Sequence, residues 1–208
     1  MKKIEFVSRK ITDGDVAAIA RLLHLTDPYI YPTVCEDPED PLWRRVVSLC
    51  LKAEGNVFSA AHFRILTVEN AVVALSCVIP CGKGLSFAEN LPLTERERAA
   101  LACAEKGYFL PLLRESAEMN GFNLVNLCVD PAVRGQGAGR MLMELYVREH
   151  GDAPLHLDVV ADNIGAIRLY ESCGFQIERA YEGFAGEGAT VACYHMVRPS
   201  PRGTFEEK

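Results

Sequence analysis

The segment from residue 129 to 140, Val-Asp-Pro-Ala-Val-Arg-Gly-Gln-Gly-Ala-Gly-Arg, constrains this chain more than any other. A strand-like run, Leu124 to Val129, stops at Asp130-Pro131. A glycine-rich loop then runs from Arg134 to Gly139, and a helical run, Arg140 to His150, begins at once. Strand, glycine loop and helix in direct succession suit a phosphate-bearing ligand. Glycines let main-chain N–H groups approach it, and the start of the helix presents the positive end of its dipole.

Spacing narrows the ligand. A dinucleotide fingerprint needs G-x-G-x-x-G, yet counting from Gly135 the sixth position is Arg140, and from Gly137 it is Leu142. A P-loop needs a Gly-Lys-Ser/Thr ending, and the segment has none. What stands there is Arg134-x-x-Gly137-x-Gly139, after Val129-Asp130-Pro131. A second segment, residues 155–175 (LHLDVVADNIGAIRLYESCGF), holds a short strand, then Asn163, then a helix with Ala166 and Tyr170, then Gly174-Phe175. The two segments resemble, in order and separation, the acyl-CoA pyrophosphate loop and the following strand and helix of the GNAT N-acetyltransferase superfamily. The resemblance covers the C-terminal third of the chain; the N-terminal half matches only in coarse element order.

Composition sets outer bounds. A chain of 208 residues has room for one well-cored domain. Hydrophobic residues make up 49% of it, but no apolar run approaches the ~20 residues of a membrane span. The start, Met1-Lys2-Lys3-Ile4-Glu5-Phe6, lacks the apolar stretch of a signal peptide, so a cytoplasmic location and no membrane partner are expected. The net charge of −6 argues against nucleic acid as a partner, while Arg134, Arg140 and Arg168 still supply local cations for phosphates. None of the eight cysteines forms a C-x-x-C pair, so they read as buried reduced thiols, and no metal is expected.

Along the chain, Lys3 to Ser8 reads as a strand, and Thr12-x-x-Asp15 as a capping box ahead of a helix carrying Val16, Ile19, Ala20 and Leu23. Asp27 to Asp40 is an acidic, proline-rich loop. Asp40 caps a helix that has Pro41 first and ends at Gly55. His62–Val68 and Ala71–Ile79 form a hairpin about Glu69-Asn70. Thr94-x-x-Glu97 opens a helix ending near Gly107, and a further helix from Phe109 to Met119 stops at Asn120-Gly121. Strand 123–129, helix 140–150, strand 155–160 and helix 164–173 follow, with Gly174 as a C-cap. Runs 176–181 and 191–197 pair as a last hairpin, whose edge offers a route to a homodimer.

The expected fold is α/β of the α+β kind, a mixed, mostly antiparallel twisted sheet of six to seven strands flanked by helices. The resemblance implies that its fourth and fifth strands splay apart. Residues 1–199 are expected to form one domain with a helical insertion at about 81–120 on the acceptor side, and 200–208 a disordered tail.

The resemblance also implies a reaction, transfer of an acetyl group from acetyl-CoA, as co-substrate, to a primary amine by direct attack in a ternary complex. Amides of Gly135, Gln136, Gly137, Ala138, Gly139 and Arg140 would face the pyrophosphate, with Arg134 and Arg140 adding charge. Main-chain groups of Leu127, Cys128 and Val129 would pair with the pantetheine arm and polarise the thioester. Asn163 would cap its helix and touch CoA, and Tyr170 would bring its hydroxyl to the departing sulfur. An ammonium acceptor needs a base, because a lysine-type amine has a pKa near ~10.4. Asp158 stands five residues before Asn163, where many family members carry glutamate, on the strand face shared by His156 and Val160. His156, Glu36, Asp37, Glu39 and Asp40 are weaker candidates. An acyl-Cys128 is disfavoured, since nothing nearby in sequence activates its thiol.

Blander readings compete with each assignment: a turn that caps a helix, a structural carboxylate, a half-buried aromatic. The acceptor, a small-molecule or peptide amine, is not named by the sequence. A non-catalytic acyl-CoA-binding sensor is the main alternative, and another kind of nucleotide-binding α/β protein the next.

Overall fold

The computed structural model describes residues 4–201, so Lys3 and residues 202–208 of the expected tail lie outside the described residues. Its strands are β1 (Val7–Arg9), β2 (Phe63–Val68), β3 (Ala71–Pro80), β4 (Phe122–Val129), β5 (Leu155–Val160), β6 (Gln176–Phe184) and β7 (Thr190–Arg198). They form one sheet in the order β1-β2-β3-β4-β5-β7-β6. Only β4 and β5 run parallel. This is the expected mixed, mostly antiparallel sheet.

The first strand begins at Val7 rather than Lys3. Its partner, β2, ends at Val68, so a strand whose Val7 sits opposite Thr67 soon runs out of ladder. The β2–β3 hairpin turns where the sequence places it. Glu69 and Asn70 hold φ values of 49° and 69°, the pair of left-handed residues that a tight two-residue hairpin turn requires.

Helices cover both faces of the sheet. Helices α1 (Val16–Thr26) and α2 (Pro41–Lys52) bury Ile19, Leu23, Trp43 and Val47 against Ile65, Leu75 and Cys77. On the other face, α5 (Ala138–His150) and α6 (Ile164–Ser172) bury Met143, Tyr146, Ile167 and Tyr170 against Leu157 and Met196. The capping boxes read from sequence are formed. Asp15 accepts from Thr12 N at 2.8 Å, and Glu97 accepts from Thr94 N at 2.7 Å. Asp40 accepts from Leu42 N and caps α2, which ends at Lys52, before Gly55.

Between β3 and β4 the chain departs from the reading of two helices broken near Gly107. Helix α3 (Glu95–Ala104) runs without a break through a π-helical turn, Glu105–Phe109, into α4 (Leu110–Glu118). Pro111 supplies a reason. It has no N–H to offer the carbonyl four residues back, which is that of Gly107, and its ring crowds that position. The backbone widens there, and Leu110 N donates to Glu105 O five residues back. Gly107 is needed in the turn, since a Cβ there would stand 2.3 Å from the Phe184 ring of β6. The turn thereby clamps the segment between β3 and β4 onto the far end of the sheet.

The parting of β4 from β5 also has a local cause. Cys77 pairs with Asn126 but Val78 with Leu124, so Val125 is one residue too many in β4. Such a bulge bends its strand and adds twist. Pairing with β5 covers only Phe122, Asn123 and Leu124. Beyond Leu124 the two strands diverge, and the β5-facing edge of β4 has no strand partner among the described residues.

Candidate active site

A cavity of about 410 Å³ occupies the gap left by the diverging strands. Leu124 to Leu127 of β4 form one wall, and Asp158 to Val160 of β5 another. Asn163, Ala166 and Tyr170 of α6 close one side, while Gly107, Tyr108 and Leu112 close the side opposite. Tyr181 and Phe184 of β6, Cys193 of β7, and Asp27 after α1 complete it. Of the residues expected to act together, the fold brings Leu127, Asp158, Asn163 and Tyr170 to this one space.

Tyr170 is 7% exposed, and its hydroxyl has no hydrogen-bond partner among the described residues. Burial raises its pKa well above that of an ordinary phenol, so the group stays protonated and is available as a donor. Asn163 caps α6, accepting from Ala166 N at 3.2 Å. Asp158 keeps 20% of its side chain exposed and accepts from His195 at 2.9 Å.

The glycine loop lies beyond the cavity, at the C-terminal end of β4. Asp130 anchors its start. The carboxylate accepts from Ala132 N at 2.9 Å, pairs with Arg21, and is held below the usual carboxylate range by that backbone bond first and the arginine second. Gly135 and Gly137 have φ values of 74° and 94°, and a Cβ at either would meet nothing within 4 Å. Gly137 is the N-cap of α5 and offers no side chain to its first amides. Met141 N is the first to bond back, to Gly137 O. The amides of residues 135 to 140 therefore have no protein acceptor among the described residues, beside open space and at a helix start. Arg134 and Arg140 are exposed. Arg134 Nε donates to Val129 O at 3.1 Å, and Arg140 donates to Ser172 Oγ at 3.2 Å, which ties α5 to the end of α6. Gly139 allows that contact, since a Cβ there would already stand 3.3 Å from Leu169.

Some sequence candidates fall elsewhere. Cys128 points into the core under α1 and does not line the cavity; burial raises its thiol. Among the acidic candidates of the 36–40 loop, Asp37 accepts from Glu39 N, Glu39 pairs with Arg44, and Asp40 caps α2. None of these lines the cavity. The carboxylate from that region that does is Asp27, whose pKa burial raises although Tyr29 N and Ile30 N donate to it. Sequence reading also missed Tyr108, Tyr181 and His195. Each arrives through long-range packing that no local motif signals.

Comparison with known proteins agrees with this architecture. Residues 100–177 match the family model for the acetyltransferase (GNAT) domain. That segment is similar to GNAT acetyltransferases. The match includes the bulged strand, the glycine loop, β5 and α6. Over 55 residues the chain is 49% identical to the ribosomal protein bS18 alanine N-acetyltransferase of Escherichia coli. That stretch is 25% of this chain and spans only 37% of the relative's length. An N-acetyltransferase from Staphylococcus aureus superposes with a TM-score of 0.63 at 14% identity, over 92% of this chain and 99% of that one. A putative acetyltransferase from Salmonella typhimurium, solved with its cofactor acetyl-CoA, gives 0.57 at 15% identity, over 98% of each chain. At those identities the solved structures establish the fold alone.

Proposed function

We propose that this protein transfers an acetyl group from acetyl-CoA to a primary amine by direct attack in a ternary complex. The observation that carries the reading is the parting of β4 from β5 after Leu124. Among the described residues it leaves main-chain groups of β4 without strand partners along the wall of a cavity, with unpartnered loop amides at the strand's end.

The residues take roles that follow from their positions. Amides of 135–140, with Arg134 and Arg140, receive the diphosphate; one helix dipole contributes only ~0.3–1 kcal/mol, so several charge-assisted hydrogen bonds share the task. Freed β4 groups between Leu127 and Val129 align the pantetheine arm and polarise the thioester carbonyl. Asn163 borders the arm from α6. Tyr170, protonated in its buried setting, donates to the sulfur as the C–S bond breaks. Asp158 takes a proton from the acceptor ammonium. Holding amine and thioester in register supplies much of the rate, up to ~7–11 kcal/mol for well-oriented partners.

Asp27, Asp158 and Glu115 line the cavity, which favours a cationic acceptor over an anionic one. A peptide with an N-terminal alanine heads the panel of amines to be tried, on the precedent of the Escherichia coli relative's name. Two measurements test the proposal. Calorimetry with CoA, against NAD and ATP as controls, should show saturable binding of CoA alone. Thiol release from acetyl-CoA should then require an amine, with lysine, polyamines and peptide N-termini compared. Binding without turnover across that panel would instead support an acyl-CoA sensor.

A further inference from the structure

The cavity is uneven in charge. Four carboxylates line it, those of Asp27, Glu115, Asp158 and Glu182, and among the described residues no lysine, arginine or histidine does. Two of the four are accounted for elsewhere. Arg179 reaches Glu115 at 2.8 Å, and Glu182 is exposed at the rim. Asp27 and Asp158 remain. The pantetheine arm expected beside them carries no charge, so neither carboxylate is there to neutralise it.

Asp27 follows α1. Its Oδ1 accepts from Tyr29 N at 2.7 Å and from Ile30 N at 2.9 Å, while its Oδ2 has no hydrogen bond and the carboxylate no cation among the described residues. Burial raises its pKa despite those two bonds, the mark of an anion short of positive charge. A second wall residue is short of a donor. Asn126 lines the cavity and is 3% exposed; its Nδ2 donates to the Tyr31 hydroxyl at 2.8 Å, and its Oδ1 has no partner among the described residues. Tyr31 lies four residues after Asp27, so that bond ties the Asp27 segment to β4. Asp27 and Asp158 act on one space. Burial first, then the charges of both, raise the Tyr108 phenol and the Cys193 thiol.

We propose that Asp27 is a specificity-determining residue that selects acceptors carrying a second positive charge beside the reacting amine, whether a small diamine or a peptide N-terminus followed by a basic side chain. This rests on the N-acetyltransferase reading above. One ammonium does not serve both carboxylates. The group that gives its proton to Asp158 becomes a neutral amine, so through the transfer it leaves Asp27 unmatched. A second ammonium or guanidinium, which stays charged, pairs with Asp27 Oδ2 throughout. An N–H of the same acceptor supplies the donor that Asn126 lacks.

A purely local role does not account for Asp27. The turn after α1 uses Oδ1 alone, and asparagine would serve those two amides equally well. The negative charge is therefore surplus to the turn. In a cavity partly closed to water, a charge pair is also worth more than on the open surface.

Matched acceptors test the inference on the whole chain. Acetyl transfer is measured for butylamine against diaminobutane, and for a peptide beginning Ala-Ala against one beginning Ala-Lys. In at least one pair the dicationic member should have the higher kcat/KM by about tenfold or more, the scale of one hydrogen bond to a charged group. The pair that shows it identifies the carrier. Asp27→Asn keeps an oxygen for the Tyr29 and Ile30 amides and removes the charge. It should reduce that ratio by about tenfold, with the CoA Kd unchanged. Glu182→Gln should leave the ratio standing. A ratio near one in both wild-type pairs, a ratio that survives Asp27→Asn, or one lost instead in Glu182→Gln would overturn the assignment. The wild-type ratio needs no variant to fold. Calorimetry of the same amines on the CoA-bound protein reads the preference without turnover. Should CoA bind and no amine be acetylated, the enzymatic reading fails, while tighter binding of the dicationic member, lost in Asp27→Asn, still decides the role of Asp27.

Discussion

At the level of single residues, the site pairs a buried donor with an exposed anchor. Tyr170 is protonated because its surroundings are apolar, and its hydroxyl is unclaimed by any neighbour among the described residues. Tyr170→Phe should therefore lower kcat by roughly 10- to 100-fold, the range of a lost hydrogen bond to developing charge, with an unchanged CoA Kd and circular dichroism. Gly137 has the opposite character: it sits in open space with a left-handed backbone. Gly137→Ala must adopt φ near +94° at a cost of roughly 1–2 kcal/mol, and its methyl group enters the region the diphosphate would occupy. Calorimetry should show CoA affinity reduced by about tenfold or more, with only a small fall in Tm. An unchanged Kd would remove the loop amides from the binding site.

Among the elements, the opening depends on how β4 and β5 begin as much as on how they part. Gly121 precedes β4 with φ at +92°, and a Cβ there would lie 2.0 Å from the carbonyl oxygen of Pro154, just before β5. That oxygen also accepts from Phe122 N at 3.1 Å. Backbone cannot move aside as a side chain can. Gly121→Ala should thus cost ~3 kcal/mol and lower Tm by roughly 6–12 °C in a thermal melt, the scale for a chain of this size. The bulge at Val125 and the π-turn at Gly107 act on the same opening from two sides. One bends a wall away, and the other brings Tyr108 and Leu112 across to face it.

For the molecule as a whole, stability should fall on acidification in two stages. His150 and His156 have pKa values lowered by burial, so the unfolded chain binds their protons more readily. Their contribution is complete above the ordinary histidine value near ~6.5 and is lost as pH drops through their folded values. Asp15, bonded to Arg9, and Asp130, bonded to the Ala132 amide, have depressed values as well. Theirs is complete above ~4 and lost below. Asp27 has a raised value and works in the opposite sense, favouring the fold below ~4 and losing that advantage as pH rises through its folded value. Thermal melts from pH 4 to 8 should show Tm level near neutrality and declining from about pH 6.5 downward. A Tm that rises through that interval on acidification would contradict the histidine assignment. At alkaline pH these thiols resist ionisation, with buried Cys50 pushed up to about 12 and half-buried Cys35 to about 11.

Local chemistry was legible in the sequence alone. Caps at Thr12, Asp40 and Thr94, the turn at Glu69-Asn70, and the strand–loop–helix around Gly137 are each determined by a few neighbouring residues, whose backbone preferences need no distant partner. The resemblance carried by residues 129–140 and 155–175 added the splay of the fourth and fifth strands. Tertiary structure alone decided which side chains meet. His195 is one apolar-flanked histidine in a strand until β7 aligns it with Asp158. Gly107 reads as a helix stop until Phe184 lies across it. Cys128 reads as a neighbour of the thioester until the extra residue in β4 turns it toward the core. Pairing register and bulges are set by packing over the whole sheet, and shifting a strand by one residue exchanges its two faces. That is why the glycine loop could be read from twelve consecutive letters, while the meeting of Asp158 with His195 could not.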